Sequence, residues 1–244
     1  MAVRTALGYS GLVGTVVLYE VNGRQLMRAK PKKRKKLDKG TKARNKIFGE
    51  VSRWGTRMIN DLKQQLLFPF TLGTYNRLRG WMRNEYVAYK DASAWELVAK
   101  NNQMTQLNTG TDLRDFLEAS FSVKDEGNGI ITIGIPSINP ARNIKAPLRT
   151  TKINMKMLVV GSSFDYEGTK QRLMMAEYAF NYADNIQPAK TFTIDTNSGS
   201  ESTTGNIVLV AIALEFETTD TGVGIYNKDE RWLPAAVIAM GRLS

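Results

Sequence analysis

Nucleophiles and general bases are scarce in this sequence. Its 244 residues include neither histidine nor cysteine. The commonest general base, the commonest nitrogen ligand for metals and the thiolate nucleophile are therefore missing together. Chemistry would have to rest on carboxylates, lysines, tyrosines or hydroxyls. The acids gather at Asp125/Glu126, Asp220 and Asp229/Glu230. Paired carboxylates can serve hydrolysis or hold calcium. Each of these groups, however, falls in or beside an expected turn, and none has the spacing of an EF-hand loop. Gly127-Asn128-Gly129 and Gly222-Val223-Gly224 are too short for phosphate loops and read as turn glycines. Neither S-x-x-K nor G-x-S-x-G occurs. These readings predict no catalytic residue, no metal site and no cofactor. A carboxylate-based hydrolase ranks last among the function classes.

The chemistry that the sequence does offer is electrostatic. Lys and Arg total 34 against 23 Asp and Glu, a net charge of +11. Residues 1–90 hold 20 cations and 5 acids, whereas 91–244 hold 14 and 18. The densest run is Arg28 to Lys46, with eleven cations and one acid. Lys32, Lys33, Arg34, Lys35 and Lys36 form its centre, and Arg44, Arg53 and Arg57 follow. These eight are the candidate contacts for an anionic partner. Nucleic acid is one such partner, through phosphate neutralisation and counterion release. An acidic surface on another copy of the chain is a second. A nuclear-import signal is a third reading by composition. The run lies between two structured segments, which favours a solvated or subunit-bridging role.

The elements around this run follow from periodicity. Val13 to Glu20 and Arg24 to Ala29 flank Asn22-Gly23, a strong hairpin signal because Asn and Gly tolerate positive φ. From about Thr41 the period becomes helical. Ile47, Val51, Trp54, Met58, Leu62 and Leu66 fall on one face, with Pro69 as the stop. A second helix carries Leu72, Tyr75, Leu78, Met82, Tyr86 and Tyr89. Residues 94–100 and 113–119 read as partly helical. After Ser120 the pattern turns to strands: 121–124, 130–135, 152–160, 172–182, 190–195, 206–217 and 235–240. Seven short strands between turn clusters predict an antiparallel β-sandwich. The expected class is α+β, in four parts: a β-hairpin (1–29), a basic connector (30–46), a helical region (47–120) and a β-sandwich domain (121–244). The N-terminal residues lack the pattern of a secretory signal, and no window is long enough to span a bilayer. Cytoplasmic synthesis without membrane insertion is the expectation.

Gly11-Leu-Val-Gly14-Thr-Val16-Val17, then Gly23, then Arg28-Ala-Lys-Pro31 resembles the N-terminal signature of a family of uncharacterised bacterial proteins. There a G-x-x-G-x-V segment forms one arm of a hairpin and R-x-x-P ends the other. The resemblance implies a basic stretch, a helical region and a sandwich-like region downstream, and it implies no reaction. The helical segment of this chain is longer and richer in aromatics and arginine than that pattern.

These readings converge on a non-enzymatic structural protein. The expectation is a self-assembling subunit of a filament, tube, shell or phage-related assembly. Val13, Val16, Leu18, Leu26 and Met27 would bury apolar surface against another copy, because an isolated hairpin is marginal in water. The alternative is a nucleic-acid-binding or coat protein that uses residues 28–46.

Overall fold

A strand that is apolar on both faces needs cover on both faces. Ile207 to Leu214, IVLVAIAL, is such a run. The computed structural model describes the chain except residues 1, 6–7, 22–23, 31–37, 90–94, 163–171, 184, 197–205 and 220–223. The fold is α+β, as the patterning predicts, and it divides into two compact units, Met1–Asn45 and Lys46–Ser244.

The first unit holds an antiparallel sheet of β1 (Ala2–Thr5), β2 (Gly8–Val13), β3 (Val16–Val21) and β4 (Arg24–Ala29), in that order. The expected hairpin is β3/β4, with Val21 opposite Arg24. The structure adds two strands before it. Val13 faces Val16 across a two-residue Gly14-Thr15 connection, and Gly14 sits at φ +56°. A tight turn with positive φ at its first residue selects glycine there.

Helix α1 (Lys39–Gln65) starts at Asp38, whose Oδ1 accepts from the Thr41 backbone N–H at 2.7 Å. Its Oδ2 accepts from the Thr41 hydroxyl at 2.8 Å. In the second unit α1 buries Val51, Trp54, Met58, Ile59 and Leu62. It ends at Gln65, before the expected stop at Pro69. Helix α2 (Leu72–Tyr89) is capped by Thr71 and buries Thr74, Leu78 and Met82. Its expected stripe is thus corrected at both ends. Leu72 is 75% exposed and Tyr89 38%, because the packed face turns toward Thr74, whose backbone N–H bonds to Thr71 Oγ1.

The remaining elements are β5 (Thr105–Gln106), the single turn α3 (Leu113–Phe116), β6 (Ser122–Gly127), β7 (Ile130–Ile135), the single turn α4 (Pro140–Asn143), β8 (Thr150–Ser162), β9 (Arg172–Asn181), β10 (Lys190–Asp195), β11 (Ile207–Thr219), β12 (Gly224–Tyr226) and β13 (Ala235–Arg242). They form a three-stranded sheet, β10-β7-β6, and a larger one ordered β5-β13-β11-β8-β9, with β12 extending β11. Alternate residues of the large sheet enter two different cores. Met155, Met157, Val210 and Ile212 pack with Val123, Ile131 and Ile133 of the small sheet. Leu158, Val160, Leu209 and Ala211 pack with Trp54, Met58, Leu78 and Met82 of the helices. The second unit is therefore three-layered, and β11 is covered on both sides.

Residues 94–100 are a second correction. The described part is extended and lies along the outer edge of β13: Arg242 N–H donates to Trp95 O at 2.8 Å and Lys100 N–H to Ile238 O at 2.7 Å. Pairing with a distant strand has overridden the local helical pattern. Gly241 makes this approach possible, since a Cβ there would lie 2.7 Å from the Leu97 backbone. Helix also fails beyond Phe116, where Leu117 bridges to Ile144.

The alternation after Leu214 reads as a half-exposed strand end, yet Glu215 is buried. Lys156, on neighbouring β8, donates to its Oε1 at 2.6 Å, and their side chains keep only 13% and 6% exposure. Lys156 Nζ also lies 3.5 Å from Gln65 O, at the carbonyl end of α1. A buried pair is costly to break from one side. Glu215→Ala should cost about 3–5 kcal/mol in urea denaturation, while the double change Lys156→Met/Glu215→Leu should be near neutral.

The Asp38 cap gives a pH-dependent prediction. The Thr41 backbone N–H, then the Thr41 hydroxyl, hold the Asp38 carboxyl below its ordinary value. Its contribution to the helix start is present above the unfolded value of about 3.9 and is lost as pH falls through the lower folded value. The Thr41 amide resonance, followed by NMR, should titrate below the ordinary Asp range. In Asp38→Asn that titration should vanish.

Candidate functional site

The N-terminal sheet carries apolar side chains without a core of its own. None of the described side chains from Ser10 to Ala29 is buried. Register sorts them by face, because directly opposed residues point the same way. Val13 pairs with Val16, Val16 with Ala29, Gly11 with Leu18 and Leu18 with Met27. Val13, Val16, Leu18, Met27 and Ala29 therefore share one face, across three strands. Met27 is 74% exposed and Val13 52%. Leu26 pairs with Tyr19 and belongs to the opposite face. That face is mixed, since the Arg28 guanidinium lies 5.4 Å from the Tyr19 ring centre. Four of the five residues expected at an interface are thus brought together, and Leu26 is not. Counting residue parity from Leu18 separates Leu26 from Met27.

The cations divide in the same way. Lys32, Lys33, Arg34, Lys35 and Lys36 lie outside the described residues. Arg44, Arg53 and Arg57 all lie exposed on α1. At about 100° per residue, Arg53 and Arg57 fall within about 40° of Lys46 around the helix. Arg44 falls in the angular sector of Val51 and Leu62, two turns before burial starts, and bonds to Thr41 Oγ1 at 3.3 Å. Exposed Asn60 and Gln64 continue the row of Lys46, Arg53 and Arg57. Glu50, half-buried, falls about 40° from Lys46 and so stands in the same row. Lys46 closes the basic run 28–46, whereas Asn60 and Gln64 lie outside it, and helical spacing is the signal that finds them.

The carboxylates serve local structure. Asp125 Oδ1 accepts from Gly127 N–H at 2.9 Å, and its Oδ2 accepts from the Ser244 backbone N–H at 2.7 Å. Glu126 accepts from the Thr132 hydroxyl at 2.7 Å. Asp112 and Asp229 each begin a helical turn and each pair with an arginine two residues on, at 2.6 Å. Those hydrogen bonds from Arg114 and Arg231 hold both carboxyls below the ordinary range. Asp220 lies outside the described residues. Among the described residues no three His, Cys, Asp or Glu side chains gather as metal ligands. A groove of about 410 Å³ runs beside Trp95, Val98, Val123 and Arg242, and its Asp125 is the one tied to Ser244.

The turn glycines follow the reading from sequence. Gly127, Asn128 and Gly129 all have positive φ, at +83°, +52° and +73°. Asn-Gly in that conformation is the two-residue hairpin loop joining β6 to β7.

Aromatic residues among the arginines are packing groups. Trp54 is 1% exposed and Trp95 6%. Tyr86 lies between them, 6.3 Å from each ring centre. Trp81 is half-buried against the helical core. No described helix is long and apolar enough to cross a membrane. No family model, curated protein or solved structure matches the chain.

Proposed function

We propose that this protein is a non-enzymatic structural subunit that assembles with copies of itself through the apolar face of its N-terminal sheet. The observation that carries this reading is the composition of that face. Val13, Val16, Leu18, Met27 and Ala29 lie side by side, and no described side chain of the sheet is buried. Burying one large apolar side chain contributes about 1.5–3 kcal/mol, so four of them can offset a substantial part of the association cost. The scaffold does not depend on this sheet for a core, because both cores are built from residues after 46. Charge is not the organising force in this reading, and three acids of the C-terminal part, Asp112, Glu215 and Asp229, pair with cations of the same chain.

Face-specific substitution tests the proposal. Leu18→Asp/Met27→Asp should shift the sedimentation coefficient to that of a monomer, with the circular dichroism spectrum retained. Leu26→Asp, on the mixed face, should leave most of the assembly in place. Removal of residues 1–29 should yield a folded monomer. A wild-type chain that sediments as a monomer at all concentrations would sink the proposal, as would a double variant that assembles normally.

A further inference from the structure

We infer that the outer edge of β9 is a second contact between copies of this chain. There β9 of one copy pairs antiparallel with β9 of another, about a two-fold axis at Ala176. The contact is distinct from the apolar face of the N-terminal sheet, and it rests on that face to bring copies together.

The first observation is that β9 is the unguarded edge of the second unit. Sheets blunt their edges with bulges, charges, proline or a covering segment. The edge of β13 is covered by the segment from Trp95 to Leu107, itself broken by a turn at Asn101–Gln103. β6 carries a bulge between Asp125 and Gly127, beside Lys124 and Glu126. β10 has six residues, with Lys190 and Asp195 at its ends. β12 has only three. β9 has none of these devices. It runs for ten residues, in unbroken register with β8. Between Leu173 and Phe180 it holds one charged residue, Glu177. It ends the large sheet, and no described strand pairs with its outer side. The N–H and C=O groups of such an edge are a template for one more strand.

The second observation selects another β9 as that strand. A two-fold axis perpendicular to the sheet keeps each face continuous and sets one residue opposite its own copy. Two centres keep nine of the ten residues in the pair, Ala176 and Glu177. Centring on Glu177 opposes like charges, which is destabilising. Centring on Ala176 sets Glu177 opposite Met175, Met174 opposite Tyr178 and Leu173 opposite Ala179, with no like charges opposed. Met175 is 44% exposed, and the stem of the partner's Glu177 would cover it.

The third observation is preorganisation. β8 holds β9 extended along its length, and Tyr178 packs on Phe192 of β10 with ring centres 5.9 Å apart. Neither copy has to order a segment on pairing, whereas a flexible peptide would. A single strand pair is still a weak contact in water, because it exchanges bonds to solvent for bonds to protein. It therefore forms between copies that the N-terminal sheets already hold, at high local concentration. Two different contacts per copy let the assembly grow beyond a pair.

Cross-linking of the full chain tests the register. The chain has no cysteine, so one introduced thiol reports one position. In Ala176→Cys the opposed Cα atoms would lie about 4.5–5.5 Å apart, within disulfide reach. Mild oxidation should yield dimers on a non-reducing gel. Ala179→Cys should yield none, because its two copies would lie about 20 Å apart at about 3.4 Å per residue. Sedimentation gives a second readout. Met175→Glu sets an acid opposite Glu177 and should shrink the assembly, and Met175→Glu/Glu177→Lys should restore it. Rescue by the added charge separates a lost contact from a damaged strand. The inference is overturned if both cysteine variants cross-link equally, or if Met175→Glu assembles as the wild type does. An assembled Ala176→Cys chain that stays uncross-linked removes this contact alone. A wild type that stays monomeric removes it together with the N-terminal face.

Discussion

The cover on both faces of β11 is the constraint from which the rest of the second unit follows. A strand reading IVLVAIAL has no face to give to water. Its even-numbered residues need the small sheet and its odd-numbered residues need the helices. Neither layer is optional, because removing either would expose a row of large side chains at about 1.5–3 kcal/mol each. The two helices thus belong to the sandwich as its third layer, and the region reads as one packed body from Lys46 onward. The ion pair of Glu215 and Lys156 marks where this cover changes character. There α1 has ended, and its terminal carbonyl end favours a cation.

Exposed apolar and cationic surface concentrates early in the chain, and the packed layers follow it. The downstream layers are rich in apolar side chains, and three of their acids pair with nearby cations. The first sixty residues hold the unsettled surfaces: a sheet with an apolar face and a helix with a cationic side. Two surfaces of such different chemistry suit two different partners. An apolar face responds to shape and buried area, whereas a cationic one responds to charge density and ionic strength.

Much of this was legible from pattern. The strands 130–135 and 190–195 match the observed bounds of β7 and β10, because apolar alternation and flanking turn residues point the same way. The buried stripe of α1 was legible for the same reason at a period of 3.6. Residues 95–107 were not. Their role as an edge depends on β13, far away in sequence, and on the missing side chain of Gly241. The strands β1 and β2 escaped because short segments broken by Gly8, Gly11 and Gly14 carry little periodicity. Hydrophobicity alone groups Leu26 with Met27, and only strand parity places them on opposite faces. Proximity in sequence likewise groups Arg44 with Arg53, whereas helical period sets Arg44 apart and joins Lys46 to Arg53.

The placement of β13 also bears on how the protein comes to be made. Its inner edge pairs with β11, and its outer edge receives the segment from Trp95 to Leu107. That segment is synthesised roughly 130 residues before the strand it lines. Closing so long a loop costs little extra stability, since the penalty grows only with the logarithm of length. It costs time, because distant pairings form slowly. Until Ala235 to Arg242 have emerged, Leu97 and Leu107 have no strand edge to seal and stay open to other chains. The chain therefore passes through a stage of synthesis in which a segment that will later be sealed is on offer to other chains.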